Sequence, residues 1–128
     1  MRKRVSGTSW KLEGCPMTYF SITGAASGYV AAWPTKGQVY FARLDKDGVV
    51  LSPGEIETPG SNGMRTGILA LGAATDGATL VAWKKNDVLG WQLYDSKGQT
   101  LGESESAKSA GNAAAGVALP NGNFILFL

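Results

Sequence analysis

Two tryptophans and one arginine are the residues of this 128-residue chain whose types and positions best suit ligand binding. Trp33 and Trp83 lie 50 residues apart, and each ends a short apolar run. Exposed indole rings can stack on the faces of sugars. Arg65 carries a permanent positive charge that suits an anion or a carboxylate. These three residues predict a site for a carbohydrate or a small anionic ligand.

Each of these residues also has a purely structural interpretation. Tryptophans that recur at one position of a repeat commonly pack between neighbouring units, and we favour that role for Trp33 and Trp83. Phe41 and Trp91 form a second equivalent pair inside apolar runs, where a core role is favoured further. A loop arginine often forms a surface salt bridge, so both roles stay open for Arg65.

The composition excludes several kinds of chemistry. The chain has no histidine, which removes histidine metal sites, catalytic triads and histidine general bases. Cys15 is the only cysteine, so no intrachain disulfide is possible. Asp45, Asp47 and Asp95 could offer oxygen atoms to calcium, but we favour turn capping because aspartate accepts hydrogen bonds from the backbone two residues on. No metal site and no cofactor is predicted.

Charge and hydropathy restrict the partners. Twelve basic and ten acidic residues give a net charge of +2, and the only basic cluster, Arg2 to Arg4, is interpreted as a solvated terminus. Neither nucleic acid nor a membrane is therefore expected as a partner, since no apolar run approaches the ~20 residues that span a bilayer. No signal-peptide core is visible, and the compartment stays open; a cytoplasmic location is expected if the sequence is complete.

The tryptophan spacing belongs to a longer internal repeat. The segment from Gly28 to Leu51 matches the segment from Ala78 to Leu101 without a gap. Each copy alternates short runs of apolar, β-branched and aromatic residues with turn dipeptides such as Asp47-Gly48 and Lys97-Gly98. A fixed period of this length is typical of propellers and solenoids. The sequence therefore predicts an all-β fold made of β-propeller blades.

The repeat phase places two complete four-stranded blades at 16–52 and 66–103, and two half-blades at 1–13 and 114–128. The fourth strands of the complete blades are expected at Val49–Leu51 and Thr100–Glu103. Three blades are too few to close a ring, and open strand edges are prone to aggregate. A head-to-tail homodimer that pairs the half-blades of two chains would give six blades with twofold symmetry. The alternative is that the chain is a piece of a longer propeller.

Several segments are similar to the later blades of bacterial sialidase-like proteins with BNR (Asp-box) repeats. They are Trp10 to Thr18, Gly28 to Trp33, Arg65 to Leu71 and Leu80 to Trp83. The turns Asp45 to Gly48 and Asp95 to Gly98 correspond to degenerate Asp-boxes, with leucine in place of the usual aromatic residue. The resemblance implies a propeller, and it gives Arg65 the position of one arginine from the triad that binds the substrate carboxylate. A Tyr/Glu nucleophile pair has no matching motif here.

The function expected from these observations is a non-enzymatic module that binds a ligand or a protein, or serves as a scaffold. The alternative is a sialidase-like glycoside hydrolase, or the remnant of one, acting on sialosides or related glycans. A non-functional fragment is a third possibility, and it predicts aggregated material.

Overall fold

A computed structural model describes residues 21–35, 37–61, 67–72, 76–109 and 114–127. Within these ranges every regular element is a β-strand and all pairings are antiparallel, which confirms the predicted all-β class. No helix in this part of the chain has the length and apolar character needed to cross a membrane. The strands, in chain order, are β1 (Ser21–Ala25), β2 (Gly28–Thr35), β3 (Gln38–Asp45), β4 (Ile56–Ser61), β5 (Ile68–Gly72), β6 (Thr79–Lys85), β7 (Val88–Tyr94), β8 (Glu105–Lys108), β9 (Ala115–Ala118) and β10 (Phe124–Phe127).

The strands form three sheets that follow the order of the chain. The first sheet is β1-β2-β3-β4, the second is β5-β6-β7-β8, and the third is the pair β9-β10. Each strand therefore pairs with its neighbour in sequence, as in a meander. Trp33 pairs with Tyr40 in the first sheet and Trp83 pairs with Gly90 in the second, so the 50-residue repeat in sequence is also a repeat in register.

The turn that ends β3 recurs after β7 with the same hydrogen bonds. Oδ1 of Asp45 accepts from the backbone N–H groups of Asp47 and Val49, both at 2.9 Å. Oδ1 of Asp95 accepts from those of Lys97 and Gln99, at 2.8 and 2.9 Å. Gly48 and Gly98 follow with φ of 81° and 83°, a conformation that glycine adopts at little cost. The aspartates therefore cap the turns, as predicted.

The fourth strands lie further along the chain than the sequence predicts. Val49–Leu51 and Thr100–Glu103 contribute only the isolated bridges of Val50 to Leu44 and Thr100 to Tyr94. The strands that pair with β3 and β7 are instead β4 and β8. The capped turns explain the difference. Each turn folds the chain back to form one bridge, and the residues after the first turn have a composition typical of a strand.

Alternate residues of each strand point to opposite faces of its sheet. The C-side face of the first sheet and both faces of the second sheet are buried. We call the face toward the following sheet the C-side face and the opposite one the N-side face. The C-side face of the first sheet includes Val30, Ala32, Val39 and Phe41. It packs against the N-side face of the second sheet, which includes Ile68, Ala70, Val81, Trp83 and Tyr94.

The same kind of junction recurs between the second and third sheets. Leu71, Leu80, Ala82 and Leu89 on the C-side face of the second sheet form a second core. Phe124 and Leu126 of β10 pack against it, together with Ala118 of β9. One rule thus describes both junctions: the C-side face of each sheet is covered by the N-side face of the next.

The first strands of successive sheets lie next to one another. The hydroxyl of Thr23 on β1 donates to the carbonyl of Ala70 on β5 at 2.7 Å, and the backbone N–H of Ala70 donates to the hydroxyl of Ser21 at 3.1 Å. A Cβ added to Gly72 would lie 2.5 Å from Cβ of Ala25, so the two backbones are in close approach here. β5 and β9 are also in contact. The first strands therefore form the side of the stack on which the sheets are closest together.

Candidate functional site

Trp33 lies in the core of the first sheet. It is on the N-side face, where it forms a cluster with Ala31, Ala42 and Leu44, and only 8% of its surface is exposed. Its indole Nε1 is buried and has no hydrogen-bond partner among the described residues. The structure thus places Trp33 in a buried apolar cluster.

Trp83 lies at the junction between the first and second sheets. A Cβ added to Gly60 of β4 would lie 2.3 Å from Cδ2 of the indole and 2.7 Å from both Cε2 and Cε3. Cδ2 is a ring-fusion atom whose in-plane neighbours are all covalently bonded, so this approach is to the face of the ring. A Cβ on Gly90 would lie 2.4 Å from Nε1. The two glycines therefore create the space that the indole occupies between the sheets.

One side of Trp83 borders a solvent-accessible groove of about 390 Å³, which we call the Trp83 groove. Its lining is mainly polar or small. Beside Trp83 it includes Lys85, Asn86, Ser104, Glu105 and Ser106. Of the residues that the sequence selects for ligand binding, Trp83 is thus the one that the described structure places beside an open groove with polar side chains.

Arg65 lies outside the described residues, so the structure does not place the predicted cationic site. Arg43 is the one arginine within the described ranges, and its guanidinium forms hydrogen bonds at the junction between the first and second sheets. Its Nη2 donates to the carbonyl of Ser52 at 2.6 Å, and its Nη1 donates to that of Ser96 in the second sheet. Arg43 therefore connects two turns.

Lys84 is a buried charged residue that sequence reasoning missed. It is 2% exposed, and its Nζ donates to the carbonyls of Asn86 at 2.5 Å and Ser109 at 2.7 Å. Ser109 in turn donates its backbone N–H to the carbonyl of Asp87. The lysine thus holds the end of β8 against the β6–β7 turn. A lysine that directly follows an apolar strand run was the available signal.

A second groove, of about 500 Å³, lies beside β10 and is mainly apolar. We call it the β10 groove. It is lined by Trp91 and Leu93 of β7, by Leu101 of the β7–β8 connection, and by Phe124 and Leu126 of the third sheet. In the first sheet, the equivalent of Trp91 is Phe41, whose ring is covered by Tyr94 at a centroid distance of 4.4 Å. Trp91 therefore borders an open groove at the position where Phe41 is covered.

Large apolar side chains are exposed at both ends of the stack. On the C-side face of the third sheet they are Val117, Ile125 and Phe127. On the N-side face of the first sheet they are Ile22 and Tyr29. Sequence reasoning did not select these residues. The available signal is β10, in which all four side chains are apolar, so both faces of the strand are apolar.

The acidic residues give no indication of a metal site. No group of three or more potential ligands among His, Cys, Asp and Glu occurs within the described residues. Hydrogen bonds from the backbone N–H groups of Gln99 and Lys97 hold the pKa of the Asp95 carboxyl below its ordinary value. The ionised carboxylate is thus stabilised as an acceptor for the turn.

Comparison with known proteins gives no relatives. No protein-family model matches the chain, and neither a curated protein nor a solved structure matches it.

Proposed function

We propose that this chain is a non-enzymatic binding and scaffolding module of the β-propeller type, whose ring of sheets is completed by a second copy of the chain. The observation that carries the proposal is the repeated junction, in which the C-side face of one sheet is covered by the N-side face of the next. The two junctions cover the faces between the sheets. Large apolar side chains stay exposed on the N-side face of the first sheet and on the C-side face of the third. A protein partner is the simplest cover for such faces.

Three further features support a propeller. Each complete sheet has four antiparallel strands in sequence order, which is the construction of a propeller blade. The first strands β1 and β5 adjoin through the hydroxyls of Ser21 and Thr23, as the strands around a central axis do. The third sheet contributes two strands in the described residues, half of what a blade needs.

Ring closure by a second copy follows from the same counting. Two four-stranded sheets and two half-sheets per chain give six blades per pair of chains. The half-sheet at the start, 1–13, is a prediction from the sequence and lies outside the described residues. Twofold symmetry would place two identical junctions across the ring, which removes both exposed ends at once.

The proposal of a non-enzymatic role is supported by what the described polar side chains do. Asp45 and Asp95 cap turns, while Arg43 and Lys84 donate to backbone carbonyls that hold turns together. The sialidase-like alternative depends on Arg65. A fluorogenic sialoside assay on the assembled protein tests it, because turnover that Arg65→Ala abolishes, with the assembly intact, would overturn the non-enzymatic proposal.

A second candidate function, carbohydrate binding, is favoured by the Trp83 groove. Hydroxyl, amide and ammonium groups line it beside an indole, which is the mixture that sugar hydroxyls require. Calorimetric titration with neutral and sialylated oligosaccharides tests this candidate. Binding that Ser106→Tyr removes by filling the groove would support it, and the absence of binding across the panel would refute it. Val49→Tyr, a substitution in an exposed turn residue, provides the control.

The decisive experiment on the main proposal is the mass of the purified protein in solution, measured by light scattering coupled to size exclusion over a wide concentration range. We expect a stable species of twice the 13.4 kDa chain mass. A folded monomer at all concentrations would refute ring closure by a second copy. Aggregated material would support the interpretation as part of a longer propeller.

A further inference from the structure

The C-side face of the third sheet lacks a cover that its equivalents possess. Phe124 pairs with Ala118 as Thr79 pairs with Gly72, each at the strand ends beside the connecting turn. By this register Ile125 takes the place of Leu80, which is 4% exposed, yet Ile125 is 42% exposed. The third sheet thus presents a face of the kind that is buried in the second sheet.

Phe127 and Val117 extend the same exposed face. Phe127 takes the place of Ala82, which is fully buried, and is itself 58% exposed. Val117 pairs with Ile125 across the two strands and is also exposed. The face therefore presents three large apolar side chains on two adjacent strands.

The N-side face of the first sheet is exposed in one half only. Ile22 pairs with Ala31 as Ala70 pairs with Val81, and Tyr29 takes the place of Thr79. Ala70 and Thr79 are buried, whereas Ile22 and Tyr29 are about half exposed. On the side of β3, by contrast, the cluster around Trp33 is buried. The exposed half is thus β1 with the start of β2, which is two strands wide.

From this geometry we infer that the third sheet of one copy docks, through Val117, Ile125 and Phe127, on the exposed half of the first sheet of a second copy, through Ile22 and Tyr29. The contact continues the rule of both internal junctions, a C-side face covered by an N-side face. A two-stranded sheet also matches a surface two strands wide. The inference rests on the proposed function, because it specifies where its two copies meet.

Charge substitutions on the two faces test the inference. We expect Ile125→Glu and Ile22→Glu each to raise the dimer dissociation constant at least ~100-fold, because each dimer contains the altered contact twice and each tenfold change corresponds to about 1.4 kcal/mol. Val88→Glu, at an exposed valine on β7 outside both faces, is the matched control. The double variant Ile22→Lys/Ile125→Glu places opposite charges together and should recover a large part of the lost affinity.

The outcomes separate this inference from the proposed function. Light scattering that shows a wild-type dimer, monomeric Ile125→Glu and Ile22→Glu, and dimeric Val88→Glu supports both. A wild-type dimer that survives Ile125→Glu or Ile22→Glu refutes the docking surface and leaves the ring closure standing. A wild-type monomer refutes both. A dimer that is sensitive at Ile125 but not at Ile22 indicates that the third sheets of the two copies contact each other, and it refutes the docking surface. Circular dichroism verifies that each variant is folded.

Discussion

The space that Gly60 leaves for Trp83 yields a quantitative prediction for Gly60→Ala. The new methyl carbon would lie 2.3 Å from Cδ2 of the indole, whereas carbon atoms in ordinary contact are about 3.5 Å apart. The indole and Gly60 would therefore have to separate by roughly 1 Å. Trp83 belongs to the core cluster that joins the first and second sheets, so this movement disturbs the whole junction.

We expect Gly60→Ala to lower the free energy of unfolding by about 2–3 kcal/mol, the upper part of the range for overpacked cores. This is a large share of the stability of a small domain, about 5–15 kcal/mol. The measurement is urea unfolding followed by far-ultraviolet circular dichroism. The protein concentration must be held fixed, because association contributes to the apparent stability.

Gly24→Ala is the matched control, since no heavy atom lies within 4 Å of the position of a new Cβ there. Because Gly24 pairs with Tyr29 on the proposed docking face, both variants are compared in the Ile125→Glu background, in which association is expected to be lost. It should change the free energy of unfolding by at most about 0.5 kcal/mol. In a Trp83→Leu background, Gly60→Ala should cost at least ~1 kcal/mol less than in the wild type, because the clashing ring is gone. Equal effects of Gly60→Ala and Gly24→Ala would refute the reasoning.

The remaining predictions concern three polar side chains. Backbone hydrogen bonds lower the folded-state pKa of Asp95, so its stabilising effect is complete above the unfolded-state pKa and is lost as pH falls through the folded-state value. Urea midpoints across the acidic range should therefore fall less steeply in Asp95→Asn than in the wild type. Parallel curves would contradict this prediction. Burial raises the pKa of Tyr94 to about 12, so its contribution is complete below pH ~10 and is lost as pH rises through the folded-state value. The Tyr94 hydroxyl has no hydrogen-bond partner among the described residues, so Tyr94→Phe should leave the free energy of unfolding at neutral pH unchanged or raise it by up to about 1 kcal/mol. The variant should also stay folded to higher alkaline pH than the wild type. Ultraviolet titration of the phenol checks the pKa. Lys84→Met should lower the free energy of unfolding by about 1–3 kcal/mol and speed amide exchange at Ser109, whereas the exposed Lys108→Met should do neither.

The parts of the fold that could be predicted from the sequence are those with local signals. The apolar runs and glycine turns around Trp33 and Trp83 predict β2, β3, β6 and β7 because neighbouring strands are joined by short connections. The sequence predicts the fourth strands too early, because Val49 to Leu51 have a strand-like composition while Asp45 bends the chain away after one bridge. The local pattern contains no information about that return.

The environment of the site depends on contacts between distant residues. Gly60 precedes Trp83 by 23 residues and belongs to another sheet, so nothing near the tryptophan predicts that a backbone covers its ring. The core role that we favour for the tryptophans agrees with their burial. Ligand binding in the Trp83 groove, at the edge of the Trp83 ring, stays a proposal. Arg65 stays a prediction from the sequence alone.

The sizes of the side chains between the first two sheets have a geometric consequence. At β1 and β5 the spacers are Ala25 and Gly72, whereas at β3 and β7 they are the rings of Phe41 and Tyr94. Small spacers at one margin and large ones at the other turn two flat layers into a wedge. The angle of that wedge, added from layer to layer, determines how many layers complete a circle, so curvature is encoded in residue volume. Enlarging Ala25 would flatten the wedge, and the proposed head-to-tail contact would then propagate into larger circles or open filaments.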